Sequence, residues 1–94
     1  MIVTVDEMKV HLRVEDDAED EYIATLIKQG QAVAEDYCRT EFSEPIAEPV
    51  RLAVMLFVSF YFENRDAPDR TAYNTMRVAF QNLLYPYRDI DKMF

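Results

Sequence analysis

The stretch Pro49-Val50-Arg51-Leu52-Ala53-Val54-Met55-Leu56-Phe57-Val58-Ser59-Phe60-Tyr61-Phe62-Glu63-Asn64-Arg65 decides the fold. From Val50 to Phe62 only Arg51 and Ser59 interrupt the apolar character. Pro49 suits the first turn of a helix, where its missing N–H is not needed. The segment is too short to span a bilayer, which takes about 20 residues. A helix that is apolar on every side must be covered on every side. The sequence therefore predicts a central helix, at about residues 49–64, wrapped by the other helices of a small bundle.

The chain has 94 residues, half of them hydrophobic, and a single glycine. That length makes one domain, residues 1–94. The scarcity of Gly disfavours an all-β chain built from tight turns. Eighteen acidic and ten basic residues give a formal charge of −8. Such a chain repels nucleic acid at long range. A lone Cys38 cannot form an internal disulfide and points to a reducing compartment. No signal peptide or membrane span is visible, so a soluble protein made in the cytoplasm is expected.

Outward from the central segment, the elements read as helices. Thr4 with Glu7 three residues later is a capping-box pattern. Val5, Met8 and Leu12 then form an apolar stripe. Arg13-Val14 leaves this helix, and a run of acids follows: Glu15, Asp16, Asp17, Glu19, Asp20 and Glu21. The run suits a helix N-terminus, with Asp16 or Asp17 as the N-cap. The second helix is predicted from about Ala18 to Cys38, burying Tyr22, Ile23, Leu26, Ile27, Val33, Ala34 and Tyr37. Gly30 interrupts that face, either as a tolerated residue or to let another backbone approach. Phe42 and Ile46 in the connector can tuck onto the core. After a loop at residues 66–70, a fourth helix is predicted to start between Thr71 and Thr75, with Asn74 a candidate cap. It carries Met76, Ala79, Phe80, Leu83 and Leu84 on one face, and Pro86 ends it. Tyr87 to Phe94 forms an extended C-terminal tail. The fold class is all-α, a bundle of about four helices.

No catalytic constellation is visible. His11 is the only histidine and lacks the partners a metal site needs. Cys38 reads as a small hydrophobe at a helix end. The acidic run lacks the central Gly and terminal Glu spacing of a calcium loop. No Gly-rich phosphate loop exists. An enzyme is not expected, and no cofactor or metal is implied.

Four segments carry a resemblance. The first is Val3-Thr4-Val5-Asp6-Glu7 through His11-Leu12-Arg13-Val14 and the acids after it. The second is Tyr22-Ile23 through Leu26-Ile27 to Ala34-Glu35-Asp36-Tyr37. The third is Tyr61-Phe62-Glu63-Asn64-Arg65, and the fourth is Leu83-Leu84-Tyr85-Pro86-Tyr87-Arg88. In this order and spacing, spanning almost the whole chain, they resemble the small head–tail connector, or adaptor, proteins of long-tailed bacteriophages, also labelled DNA-packaging proteins. Phe62 stands where that family more usually has Tyr, and Cys38-Arg39 where it often has Gly.

The resemblance implies a virion structural protein of a phage or prophage. Its subunits form a homo-oligomeric ring, a dodecamer, beneath the portal protein during head completion, after assembly in the bacterial host cytoplasm. The ring extends the DNA exit channel and meets a head-completion or tail protein, while DNA passes without specific binding and no membrane is involved. Under this reading Glu15, Asp16, Asp17, Glu19, Asp20 and Glu21 are candidates to face the channel, against the alternative of an ordinary solvated helix start. Glu63, Asn64 and Arg65 are candidates for a subunit or portal contact. Their alternative is capping, with Asn in the left-handed position and Arg at the helix C-terminus. Tyr87, Arg88, Ile90, Met93 and Phe94 are candidates for a contact made by the tail, expected mobile or extended in the free subunit and ordered on a neighbour; the alternative packs it on its own bundle. The competing function is a small acidic protein-binding regulator, antitoxin-like or an anti-activator. A helix-turn-helix DNA-binder would need a basic recognition face, and no helix concentrates Lys and Arg.

Overall fold

The computed structural model describes residues 2–66 and 69–89. Four helices follow one another: α1 (Val5–Leu12), α2 (Asp20–Cys38), α3 (Glu48–Glu63) and α4 (Arg70–Leu84). A single 3-10 turn, Tyr85–Tyr87, closes the series, and no strand occurs among the described residues. The all-α bundle is as the sequence predicts.

Local chemistry sets the helix ends. The amide of Glu7 donates to Thr4 Oγ1 and the amide of Thr4 to Glu7 Oε1, both at 3.1 Å, completing the capping box. Arg13 ends α1 in the left-handed region, at φ 61°. α2 begins at Asp20, later than the expected Ala18, and neither Asp16 nor Asp17 is its N-cap. Glu19 holds that position with no side-chain cap bond. Asp16 instead accepts from the Ala18 amide at 3.1 Å, which holds a turn ahead of the helix. Asp17 is drawn to Lys9. Arg39 is the C-cap of α2, in the left-handed region at φ 58°. A non-Gly residue there costs roughly 1 kcal/mol.

Two further boundaries differ from expectation. α4 starts at Arg70 because Asp69 caps it, accepting from the Ala72 amide at 3.2 Å. Asn74 lies inside the helix and is exposed. At the end of α3, Asn64 is not left-handed but sits at φ −124°, ψ 55°. Its side-chain amide donates to the Phe60 carbonyl at 2.8 Å, and its backbone N–H reaches the same oxygen at 3.0 Å. The side chain satisfies the open helix end, so the backbone need not enter the left-handed region.

α3 lies between α2 and α4 and runs antiparallel to both. Tyr22 and Glu19 at the start of α2 meet Tyr61 and Arg65 at the end of α3. Phe60 near that end meets Tyr73 near the start of α4, with ring centroids 6.1 Å apart. Val50, Ala53, Val54, Phe57, Val58 and Phe60 of α3 are buried. The expectation that α3 is covered on every side is corrected: Leu52 is 43% exposed, and Met55 and Leu56 are half-buried. Three other helices in so short a chain leave one flank of α3 open. Val33, expected in the core, is likewise exposed on α2. Ile2 and Val3, which precede any helical period, are buried, and the Ile2 amide donates to Gln31 Oε1 at 3.0 Å.

Gly30 makes the α2–α3 packing possible. A Cβ built on it would stand 3.0 Å from Phe57 Cδ1 and 3.3 Å from Val54 Cγ1. The approaching group is thus an aromatic side chain, not another backbone.

Val58 and Leu56 separate core from flank. Val58→Asp should cost at least about 3 kcal/mol, because a carboxylate there has no partner and no water. Leu56→Asp should cost less than half as much, since its side chain reaches solvent. Urea denaturation of both variants gives the comparison; equal losses would mean that the open flank is covered.

Candidate interaction surface

No group of three or more His, Cys, Asp or Glu side chains among the described residues is placed to hold a metal ion. His11 is exposed on α1. Cys38 is fully buried, its Sγ 3.7 Å from the Leu84 carbonyl oxygen. Burial pushes its thiol pKa up, against a smaller opposing pull from Arg88. A thiol held protonated and covered is a poor nucleophile. No helix among the described residues is long and apolar enough to cross a membrane.

The acidic run is divided by its partners. Lys9 Nζ reaches Asp17 Oδ1 at 2.7 Å and Asp20 Oδ1 at 2.9 Å, tying α1 to the start of α2. Glu19 Oε1 lies 3.1 Å from Arg65 Nη1. Asp16 is used in its local turn. Glu15 and Glu21 are exposed and have no ion-pair partner among the described residues. Hydrogen bonding and charge from Lys9 hold the Asp17 carboxyl below its usual range. The same bonds from Asp17 and Asp20 raise the Lys9 ammonium above its usual value. Sequence patterning shows the acids as a cluster but not these partners, because Arg65 arrives from the far end of another helix.

Of Glu63, Asn64 and Arg65, only Glu63 is both exposed and without a side-chain bond among the described residues. Asn64 caps α3. Arg65 lies with its guanidinium carbon 4.5 Å from the ring centroids of both Tyr22 and Phe62, and its Nε donates to the Phe62 carbonyl at 3.2 Å. It staples the end of α3 to the start of α2.

The tail is extended at Arg88, φ −71°, ψ 138°, and is seated on the chain's own α2. The Arg88 guanidinium stands 4.5 Å over the Tyr37 ring, and its Nε donates to the Tyr37 carbonyl at 3.1 Å. The Asp89 amide donates to the Cys38 carbonyl at 2.8 Å. Tyr87 is exposed, while Ile90, Met93 and Phe94 lie outside the described residues.

Helical periodicity does not mark the apolar positions left at the surface. Val10 is 81% exposed, Tyr85 64% and Val78 49%. A groove of about 120 Å³ between α2, α3 and α4 is lined by Val33, Tyr37, Phe57, Tyr61, Tyr73 and Phe80, among others. Burial, reinforced by neighbouring Tyr73, pushes the Tyr61 phenol up. The molecule thus offers scattered apolar positions and charged rims, which suit docking between proteins.

The Lys9 clamp has a pH signature. A depressed carboxyl stabilises the fold above its ordinary value, 3.8 for Asp17, and that stability is lost as pH falls through the lowered native value. Lys9→Met should therefore lower the melting temperature at neutral pH, with the gap from the unmodified chain closing below about pH 4. Melting curves between about pH 7 and pH 3 measure it. A gap unchanged at the acid end would mean that Lys9 acts through its packed stem alone.

The model of the phage gp6-like head-tail connector proteins matches residues 2–92. No match was found among the curated proteins or the solved structures. The match runs through every element described above, from the capping box of α1 to the clip of the tail on α2. The chain belongs to the phage gp6-like head-tail connector family, structural components of the virion that work against other head and tail proteins.

Proposed function

We propose that this protein is a ring subunit at the head–tail junction, not an enzyme. The ring sits beneath the portal protein, prolongs the DNA exit channel and presents its far side to the next head-completion or tail component. The observation that carries this reading is the family match over residues 2–92. The surface supports it: exposed Val10 on α1, and Val78 and Tyr85 at α4, put apolar positions on different elements. A closed heterologous ring uses two different faces of each subunit. The acidic regulator has only composition in its favour.

Within the ring, Asp16 and Glu21 are proposed as the acids of the run that line the channel; Asp17, Glu19 and Asp20 have ion-pair partners within the chain, and Glu15 borders the Val10 depression on α1. An acidic wall neutralises few phosphates, so DNA slides without being held. Glu63, Tyr87, Ile90, Met93 and Phe94 are proposed as contacts to the portal or a neighbouring subunit. Asn64, Arg65 and Arg88 support those contacts from within.

Assembly is tested by measuring particle mass across a concentration series, with and without purified portal. Rings of the portal's symmetry are expected, at lower concentration when portal is present. A chain that stays monomeric under all conditions overturns the ring. The channel reading has its own test in a mobility-shift assay. No retention of double-stranded DNA is expected at micromolar protein in about 150 mM salt; a clear shift would mean that the chain holds phosphate.

A further inference from the structure

α4 packs inward through Met76, Phe80 and Leu84. Its outer face is not packed against any other element among the described residues. Thr71, Asn74, Thr75 and Val78 border a shallow depression there. Val78 and Tyr85, two turns apart, leave 49% and 64% of their surface in solvent. Arg70 and Arg77 flank this line and have no ion-pair partner among the described residues. From Arg70 to Arg88 the chain contains three arginines and no acid, although its net charge is −8. A basic, partly apolar helix face on so acidic a chain is the exception that needs a partner.

The complementary surface is on α1. Val10 is the most exposed large hydrophobe among the described residues, at 81%. It borders a depression with Asp6, Val14 and Glu15. Lys9 and Arg13 border it too, but Lys9 is turned to Asp17 and Asp20. Asp6 and Glu15 have no ion-pair partner among the described residues. Residues 1–21 carry eight acids and two bases. Within one chain α1 packs on α2 while α4 packs on α3, and both surfaces remain exposed.

We infer that the outer face of α4 docks on the Val10 face of a second copy of this chain, with Val78 and Tyr85 against Val10, and Arg70 and Arg77 toward Asp6 and Glu15. The inference rests on the ring reading above and assigns its subunit faces. Each protomer keeps one unused face of each kind, so the contact is head-to-tail and propagates until it closes. Opposite charge on the two rims steers the encounter and sets the register. The apolar centres are small, so a single contact is weak.

The test is charge reversal with exchange. Arg70→Glu/Arg77→Glu makes the α4 face acidic, and Asp6→Lys/Glu15→Lys makes the α1 face basic. All four positions are exposed, and circular dichroism checks that helicity is kept. Each variant alone should need at least tenfold more protein to assemble than the unmodified chain. An equimolar mixture should assemble again, because each altered face then meets its altered complement. Variants that assemble like the unmodified chain overturn the face assignment and leave the ring standing. So does a mixture that fails to recover. An unmodified chain that never assembles, with or without portal, overturns the ring reading and this inference together.

Discussion

Everything in this bundle depends on how closely α2 and α3 approach at Gly30. The Phe57 ring fills the space a Cβ would take, 3.0 Å from its ideal position. The same ring lies 4.7 Å from the Tyr61 centroid and 6.0 Å from that of Phe80. The notch in α2 therefore fixes not only α3 but, through Phe57 and Phe80, the seat of α4. A helix-interior Gly costs about 1 kcal/mol in propensity. Burying a Phe side chain returns roughly 1.5–3 kcal/mol. The exchange favours the notch, and a larger residue there would have to push α3 away from α2.

Cations hold the ends that the core does not reach. Lys9 joins α1 to α2, and Arg51 of α3 pairs with Glu7 of α1. Arg65 joins the end of α3 to the start of α2, and Arg88 clips the tail to the end of α2. These pairs are partly exposed, so each contributes little in salt; the rings beneath Arg65 and Arg88 add planar contact that screening does not remove. The consequence is a matter of inventory. Four of the ten basic residues are engaged inside the subunit. Arg70 and Arg77 are left together on α4, and much of the remaining surface is acidic.

Periodicity made the fold legible. Met8, Ile23, Leu26, Ile27, Ala34, Met76, Phe80 and Leu84 recur at helical spacing, and all are buried. The Thr4–Glu7 box is a local motif and formed as read. Spacing cannot say how many neighbours a helix has, so Leu52 of α3 and Val33 of α2 share the periodicity of core residues yet are exposed. Ile2 and Val3 belong to no helical period, so their burial left no trace in the pattern. Asp69 and Asn74 are chemically equivalent caps, and only the gain of another turn of helix selects Asp69. The surface was least legible. Glu19–Arg65 and Arg88–Tyr37 join residues far apart in the chain, and exposure of Val10, Val78 and Tyr85 follows from what does not pack on them.

A connector ring of the kind proposed would face two demands in conflict: to grip its neighbours and not to grip passing DNA. On an acidic chain with a basic helix face, the proposed head-to-tail closure would reconcile them. Arg70 and Arg77 are exposed and have no ion-pair partner among the described residues, so both are open to phosphate in the free subunit. In the proposed ring the α4 face would be covered by the acidic face of the next subunit, and each interface would remove positive charge from the surface. It would also shield Asp6 and Glu15 but leave Asp16 and Glu21 to present negative charge. Such a ring would be a weaker ligand for DNA than the sum of its subunits, because docking would use up arginines that could have bound phosphate. The same electrostatic complementarity that assembles the wall would thus leave it slippery.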